Sequence, residues 1–135
     1  MAKILVGTDT SAAADLAVQA AAQLARDRDA ELLVLQVRAN GTAHDAADPR
    51  KSADPDRYLA RMSERFPQLR LRSWSEPGDP AERLVEVAAD ERVDTIVVGN
   101  RGIHGAWWRV RESVPNLVLR HAPCSVFIVD TRAAQ

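Results

Sequence analysis

The chain has 135 residues, of which 46% are hydrophobic and 27% are charged, and its formal net charge is −1. This length predicts one domain over residues 1–135, large enough to form its own hydrophobic core. The nearly neutral charge excludes a general electrostatic attraction to nucleic acid or to an anionic membrane surface.

Cysteine content and the amino-terminal residues bear on the cellular compartment. Cys124 is the single cysteine, so an intramolecular disulfide cannot form, and a reducing, cytoplasmic location is the simpler expectation. Because Cys124 begins an apolar run, we expect a buried and inert thiol. The opening residues MAKILVGTD do not have the pattern of a signal peptide or of a membrane span, and no later segment approaches the length of a span.

The first predicted unit is a strand followed by a helix. Ile4 to Val6 is a continuous apolar run, which is typical of a strand that is covered on both faces. Thr10 or Ser11 can cap the next helix, Ala13 to Arg26, whose alanines allow it to lie close against a sheet.

A second buried strand is predicted from Leu32 to Leu35, with Val37 continuing it. Residues 38–53 have no apolar periodicity and indicate a mobile surface loop. Asp54 and Pro55 then form a helix start, and the helix presents apolar side chains at helical spacing, namely Leu59, Met62 and Phe66.

The third strand is predicted at an edge of the sheet, because the side chains of residues 69–74 (LRLRSW) alternate between its two faces. One face would carry Leu69, Leu71 and Ser73, and the other Arg70, Arg72 and Trp74. Asp79 and Glu82 form a capping box around Pro80, and the helix that follows has one apolar face. A fourth strand, buried and apolar, runs from Thr95 to Val98.

The segment from Asp94 to Asp130 is the most informative part of the chain. After its strand it contains three glycines, Gly99, Gly102 and Gly105, then a helix from about Ser113 and a last apolar strand, Ser125 to Val129. A glycine loop between a parallel strand and a helix start presents backbone N–H groups toward one point, an arrangement that suits a phosphate.

The order of the elements predicts an α/β fold with an open five-stranded parallel sheet, strand order 3-2-1-4-5, and helices on both faces. In such a sheet, ligands bind at the carboxyl ends of strands one and four, where the strand order reverses. Asp9 would then lie close to the Gly99 loop and can accept hydrogen bonds from a ribose or a base. The alternative is that Asp9 only caps the first helix.

The chain resembles the universal stress protein family over nearly its whole length. The residues that carry the resemblance are ILVGTDTS at the start, followed by the alanine-rich helix, and VVGNRG with ESVPNLVLRHAPCSVFIV near the end. The resemblance implies an adenine nucleotide alpha hydrolase-like fold, a stress-linked regulatory function and an adenine nucleotide ligand, ATP or AMP, with or without Mg²⁺. It also implies a homodimer that forms through the strand Ser125 to Val129.

Residues of the implied nucleotide site are carried over by position from the family pattern. The adenosine part is assigned to Thr8, Asp9 and the backbone near Val37, and the phosphates to Gly99, Gly102 and Ser113. Arg101 lies between the two glycines, where family members often have a basic residue. Val98 and Val114 flank the site.

One residue departs from the family signature, which is Gly, two residues, Gly, nine residues, then Gly and Ser or Thr. Gly99, Gly102 and Ser113 match this signature, but Glu112 stands where glycine is expected. Glutamate adds bulk and a negative charge beside a polyanion, so we expect weakened triphosphate binding and a preference for AMP, ADP or a cyclic nucleotide. Arg101, Arg109 and Arg111 can offset that charge, and a Glu112 that points outward would block nothing.

Other functions are less well supported by the residues. His44, His104 and His121 are scattered and predict no metal site, and no nucleophile has a base at convincing spacing, so we predict no catalytic residues. A slow ATPase and a dimeric adaptor that binds no nucleotide are the alternatives. The arginines are balanced by acidic residues, so nucleic-acid binding is not expected either.

Overall fold

The computed structural model describes residues 1–38, 55–100 and 114–131. Its five strands form one parallel sheet, flanked by helices. In chain order the elements are β1 (Lys3–Thr8), α1 (Ala12–Arg28), β2 (Glu31–Arg38), α2 (Pro55–Ala60), α3 (Met62–Arg65), β3 (Leu71–Pro77), α4 (Pro80–Asp90), β4 (Thr95–Gly99), α5 (Val114–His121) and β5 (Ser125–Val129).

The strand order is β3-β2-β1-β4-β5, which confirms the predicted order and the predicted edge positions of β3 and β5. The apolar runs are buried because helices cover both faces of the sheet. On one face α1, α2 and α3 cover a cluster that includes Ile4, Val6 and Val34. On the other face α4 and α5 cover a cluster that includes Leu5, Leu33 and Val98.

Side-chain caps fix the starts of two helices, as the sequence predicted. Ser11 Oγ accepts a hydrogen bond from the N–H of Ala14 at 3.1 Å and caps α1. Asp79 Oδ2 accepts from the N–H of Glu82 at 3.0 Å and caps α4, with Pro80 at the first helical position. The predicted caps Asp54 and Ser113 lie outside the described residues.

The third strand was predicted over residues 69–74, but it spans Leu71–Pro77. The boundary was wrong because the N–H of Leu69 donates to the carbonyl of Phe66 at 3.1 Å, which places Leu69 in the turn after α3. At the other end, pairing with β2 continues to the partners Arg38 and Pro77.

The single helix expected after Pro55 is instead two short helices, α2 and α3, separated at Arg61. The predicted apolar face is nevertheless buried, since Leu59, Met62 and Phe66 are each at most 7% exposed. None of the described helices is long and apolar enough to cross a membrane.

Cys124 is only partly buried, whereas the apolar run predicts a buried thiol. Burial raises the pKa of its thiol, and the negative charge of Asp94 adds to that effect. The thiol is therefore protonated at neutral pH, as an inert cysteine should be.

Candidate functional site

Strands β1 and β4 lie side by side and end at the same edge of the sheet. Ile4 pairs with Thr95 and Val6 with Val97, and the two strands end at Thr8 and Gly99. Because β1 has β2 on one side and β4 on the other, the strand order reverses here. This is the position at which open parallel sheets bind their ligands.

The turn that follows β1 is held by its own polar side chains. Thr8 Oγ1 accepts from the N–H of Thr10 at 2.9 Å, and Asp9 Oδ1 accepts from the N–H of Ser11 at 2.9 Å. Thr10 has a φ of 66°, a left-handed conformation that is uncommon for a β-branched residue. Ser11, and not Asp9, caps α1, so the exposed Asp9 carboxylate has acceptor positions for further hydrogen bonds.

A hydrogen-bonded cluster around Asp15 joins the first turn of α1 to α2 and α3. The Tyr58 hydroxyl donates to Asp15 Oδ1 at 2.5 Å. Arg65 donates to both Asp15 oxygens, at 2.6 and 3.0 Å, and Gln19 donates to Oδ2 at 2.9 Å. The sequence did not predict this cluster, since its members are up to 50 residues apart.

The charges in this cluster are stabilised by their neighbours. Burial by itself would raise the pKa of Asp15, but the hydrogen bonds from Arg65, Tyr58 and Gln19 hold that pKa below its ordinary value. Burial and the hydrogen bond to Asp15 raise the pKa of Tyr58. At neutral pH Asp15 is therefore ionised and Tyr58 is protonated.

Gly99 is in close contact with the segment that follows β5. A Cβ atom at residue 99 would lie 2.8 Å from Cγ2 of the fully buried Thr131. Thr131 donates from its N–H and its hydroxyl to Asn100 Oδ1, at 3.0 and 3.1 Å. The N–H of Asn100 donates to the carbonyl of Val129 at 3.0 Å, which extends the pairing of β4 with β5 beyond Gly99. Packing alone thus explains the glycine at residue 99.

The three valines assigned to the site contact one apolar cluster, on the α4 and α5 face of the sheet. Val98 is 4% exposed and belongs to the cluster, while Val37 and Val114 are partly buried and pack against it. The three valines therefore lie on the same side of the sheet. Thr8 belongs to the opposite face, because it alternates with Val6, which packs beneath α1.

A polar row crosses the sheet at the end of β1. Thr8 pairs with Gln36, and Gln36 pairs with Ser75. Gln36 is 7% exposed. Within the described part of the chain, neither its Oε1 nor the buried Oγ of Ser75 has a hydrogen-bond partner. An unpaired buried acceptor costs about 1–3 kcal/mol of stability. In the sequence, this unpaired acceptor is indicated by Gln36 itself, a single polar residue between Leu35 and Val37.

A groove of about 520 Å³ lies farther away, beside β3 on the α4 side. Most of its charges are already paired, because Arg72 bonds to Glu31 and Glu91, and Arg83 to Glu76. We therefore place the candidate site at the β1 and β4 ends and not in this groove.

Three predicted site residues, Arg101, Gly102 and Ser113, lie outside the described residues, as does Glu112. Of the three residues predicted to bind the phosphates, the structure therefore describes only Gly99. Across the described ranges, no group of three His, Cys, Asp or Glu side chains is placed to hold a metal ion.

Comparison with protein families gives a match to the model described as "Universal stress protein family", over residues 1–130. A universal stress protein of Mycobacterium tuberculosis is 31% identical over 153 aligned positions, which cover 95% of each chain. A universal stress protein of Methanothermobacter thermautotrophicus is 37% identical over 65 residues, covering 48% of this chain and 44% of that one.

Solved structures of universal stress proteins share the fold, which is the adenine nucleotide alpha hydrolase-like fold. One of them, in complex with cAMP, is 26% identical, with a TM-score of 0.77 and coverage of 96% of this chain and 97% of that chain. Another, from Lactobacillus plantarum, is 25% identical with a TM-score of 0.76, covering 95% and 97% of the two chains.

Proposed function

The chain belongs to the universal stress protein family, and from this premise we propose that it is a stress-response regulatory module that binds an adenine nucleotide. The observation that carries the proposal is the meeting of two strand ends where the strand order reverses: Thr8 ends β1 and is followed by Asp9, and Gly99 ends β4. The similar structure that holds cAMP supports the same ligand class.

Asp9 is the residue that we assign to the sugar. Its exposed carboxylate uses one oxygen in the turn and can accept from ribose hydroxyls with the remaining lone pairs. Thr8 lies beside it, and the backbone near Val37 serves the base. The turn is held by hydrogen bonds before any ligand binds, so little conformational entropy is lost when the ligand binds.

For the phosphates we assign the loop after β4, with Gly99, Gly102 and Ser113 as backbone donors and Arg101 as the cation. Glu112 replaces the glycine of the family signature and places a negative charge near the phosphates. A monophosphate or a cyclic phosphate suffers less repulsion than a triphosphate does, so AMP or cAMP is the preferred ligand in this proposal.

The first test is to identify a ligand that is carried through purification. Freshly purified protein is denatured, and the released small molecules are separated by chromatography and identified by mass. An adenine nucleotide at a substantial molar fraction supports the proposal. If no nucleotide is released, and none binds at millimolar concentration in titration, the proposal is wrong and the remaining candidate is a dimeric adaptor.

A second component of the proposal is a homodimer that forms through β5. This strand is an edge of the sheet, and its side chains Phe127 and Ile128 are 47% and 36% exposed. Leu119 on the neighbouring α5 is also exposed, at 53%. An edge with free backbone groups and apolar side chains on both faces suits pairing with a second copy of the same strand.

The cytoplasm is the location that we propose. The chain has one cysteine, and its partly buried thiol is protonated and unreactive, which fits a reducing compartment.

A further inference from the structure

We propose that the open edge of β3, together with the groove beside it on the α4 side, binds an extended basic segment of a partner protein as an added strand. The segment would pair with the backbone of β3 and place lysine or arginine side chains in the groove. This inference does not depend on nucleotide binding, because β2 and β1 separate β3 from the end of β4.

The backbone of β3 has one side open for pairing. The strand order places β2 on one side of β3, and none of the described strands lies on the other. Just before β3, the carbonyl of Arg70 accepts from the N–H of Leu32 at 2.8 Å. Just after it, the N–H of Gly78 donates to the carbonyl of Arg38 at 3.0 Å. At both ends, the bonds to β2 are therefore made by even-numbered residues.

Alternate residues of a parallel strand bond to the same neighbour. The odd-numbered residues of β3 consequently direct their backbone N–H and C=O groups to the open edge, and those that have an N–H are Leu71, Ser73 and Ser75. Pro77 has no N–H and ends this row of donors. A row of this kind is what an extended peptide pairs with in strand addition.

The groove of about 520 Å³ lies where alternate side chains of an added strand would point. Arg72 and Trp74 of β3 line it, and Val87 of α4 lines it from the helix. The Ser73 hydroxyl instead donates to the carbonyl of Leu59, on the opposite face of the sheet. Every second side chain of the added strand would therefore enter the groove, where the indole and the valine offer apolar surface to the stem of a lysine or arginine.

The charge around the groove favours a cationic side chain. The groove and the ion pairs at its rim contain three cations and five carboxylates. The cations are Lys3, Arg72 and Arg83, and the carboxylates are Glu31, Glu76, Glu86, Asp90 and Glu91. Hydrogen bonds from Trp74 to Glu76 and from Arg72 to Glu91 lower the pKa of both carboxylates, so both are ionised at neutral pH. The excess of negative charge attracts a basic segment and repels a nucleotide phosphate.

The same charge argues against a second copy of this chain as the occupant. Its two edge strands have the sequences LRSWSEP in β3 and SVFIV in β5. A second β3 would bring one arginine and one glutamate, and β5 would bring no charge, so neither would neutralise the groove. A partner segment with lysine or arginine at alternate positions would do so.

The probe for the test is a labelled peptide of seven residues, the length of β3. It has lysine at positions two, four and six and valine or threonine elsewhere, and its binding to the wild-type chain is measured by fluorescence anisotropy. We expect saturable binding that weakens as the ionic strength rises. The same peptide with glutamate in place of lysine should not bind.

Methylation of the peptide backbone distinguishes strand addition from charge attraction alone. An added strand bonds to β3 through alternate residues, so one set of alternate nitrogens faces β3 and the other faces solvent. Two lysine peptides are compared, one methylated at its even-numbered nitrogens and one at its odd-numbered nitrogens. Only one of the two should lose affinity, by about tenfold or more.

Two variants test the edge and the charge in the protein itself. Ser73→Pro removes an N–H from the open edge and no bond to β2, so it should weaken binding of the lysine peptide about tenfold. Ser73→Ala loses the same hydroxyl but keeps the N–H, and it should bind as the wild-type chain does. Asp90→Asn should weaken binding about threefold, whereas Asp27→Asn, on the exposed face of α1, should not change it.

Three results would overturn the inference. They are absence of saturable binding up to millimolar peptide, equal binding of the lysine and glutamate peptides, and equal effects of the two methylations. If Ser73→Pro does not fold, the methylated peptides decide, because they are tested on the wild-type chain. Light scattering identifies the other occupant: a lower mass for Ser73→Pro than for Ser73→Ala would show that a second copy occupies the edge, which would also overturn the inference.

Discussion

Thr131 packs so closely against Gly99 that a Cβ atom at residue 99 would lie 2.8 Å from its Cγ2 atom. Gly99→Ala should therefore force Thr131 or the end of β4 to shift. We expect the free energy of unfolding to fall by about 1–3 kcal/mol, the usual cost of overpacking a buried position. Urea denaturation, followed by circular dichroism, measures this difference.

Thr131→Ser provides the control, because serine keeps the hydroxyl that donates to Asn100 and lacks the methyl group. In that background Gly99→Ala should cost much less than it does in the wild-type chain. An equal cost in both backgrounds would show that the Thr131 methyl group is not what requires glycine.

Asp15 gives the protein a pH-dependent contribution to stability. Its pKa in the folded chain is below the ordinary value of 3.8, so this contribution is complete above about pH 4 and is lost as the pH falls through the lower folded pKa. Asp15→Asn should lower the free energy of unfolding at pH 7 by about 1–2 kcal/mol, a value reduced by partial solvent exposure. The difference in the free energy of unfolding between Asp15→Asn and the wild-type chain should become smaller as the pH falls. Urea denaturation between pH 2.5 and pH 7 measures it.

The exposed Asp27 of the same helix supplies the comparison for that experiment. Asp27 accepts one hydrogen bond, from Gln23 at 2.9 Å, and Asp27→Asn should change stability by less than about 0.5 kcal/mol. If the two variants behave alike at every pH, the cluster of Asp15, Tyr58 and Arg65 contributes nothing specific to stability.

Local patterns in the sequence were sufficient to predict the sheet. Runs such as Ile4 to Val6 and Thr95 to Val98 are buried on both faces, and the rule of right-handed crossovers then leaves few possible strand orders. Caps are equally local, so Ser11 and Asp79 were recognisable. The start of β3 was not, because Leu69 continues the alternation of the strand while its N–H bonds back to Phe66.

Features of the site that depend on distant residues could not be predicted. Gly99 was interpreted as a phosphate-loop glycine, and its contact with Thr131 joins residues far apart in the chain. The cluster at Asp15 depends on where α2 and α3 lie against α1. The unpaired Gln36 oxygen can be found only when its neighbours on β1 and β3 are known.

The β5 edge should be the dimer interface. Ile128→Lys places a charge on this exposed apolar edge, and we expect it to convert a dimer into a monomer, because burying an unpaired charge is strongly unfavourable. Light scattering after size-exclusion chromatography gives the mass. Glu82→Lys, on the exposed face of α4, should remain dimeric. A monomeric wild-type mass at all concentrations would contradict the proposal.

Glu112 should set the preference among adenine nucleotides. Glu112→Gly restores the family signature and removes one negative charge, so ATP affinity should rise by about tenfold, while AMP affinity changes less. Titration calorimetry with both nucleotides measures the two changes. An unchanged ATP dissociation constant would mean that the Glu112 side chain points away from the phosphates.

The central claim is that an adenine nucleotide binds where β1 and β4 end, with Asp9 on the sugar. Titration calorimetry of AMP against the wild-type chain and Asp9→Asn tests it most directly, because asparagine keeps an oxygen for the N–H of Ser11. We predict saturable binding to the wild-type chain and about tenfold weaker binding to Asp9→Asn, with Asp27→Asn as the unaffected control. Absence of heat for every adenine nucleotide at millimolar concentration, or equal affinity in Asp9→Asn, would contradict this account.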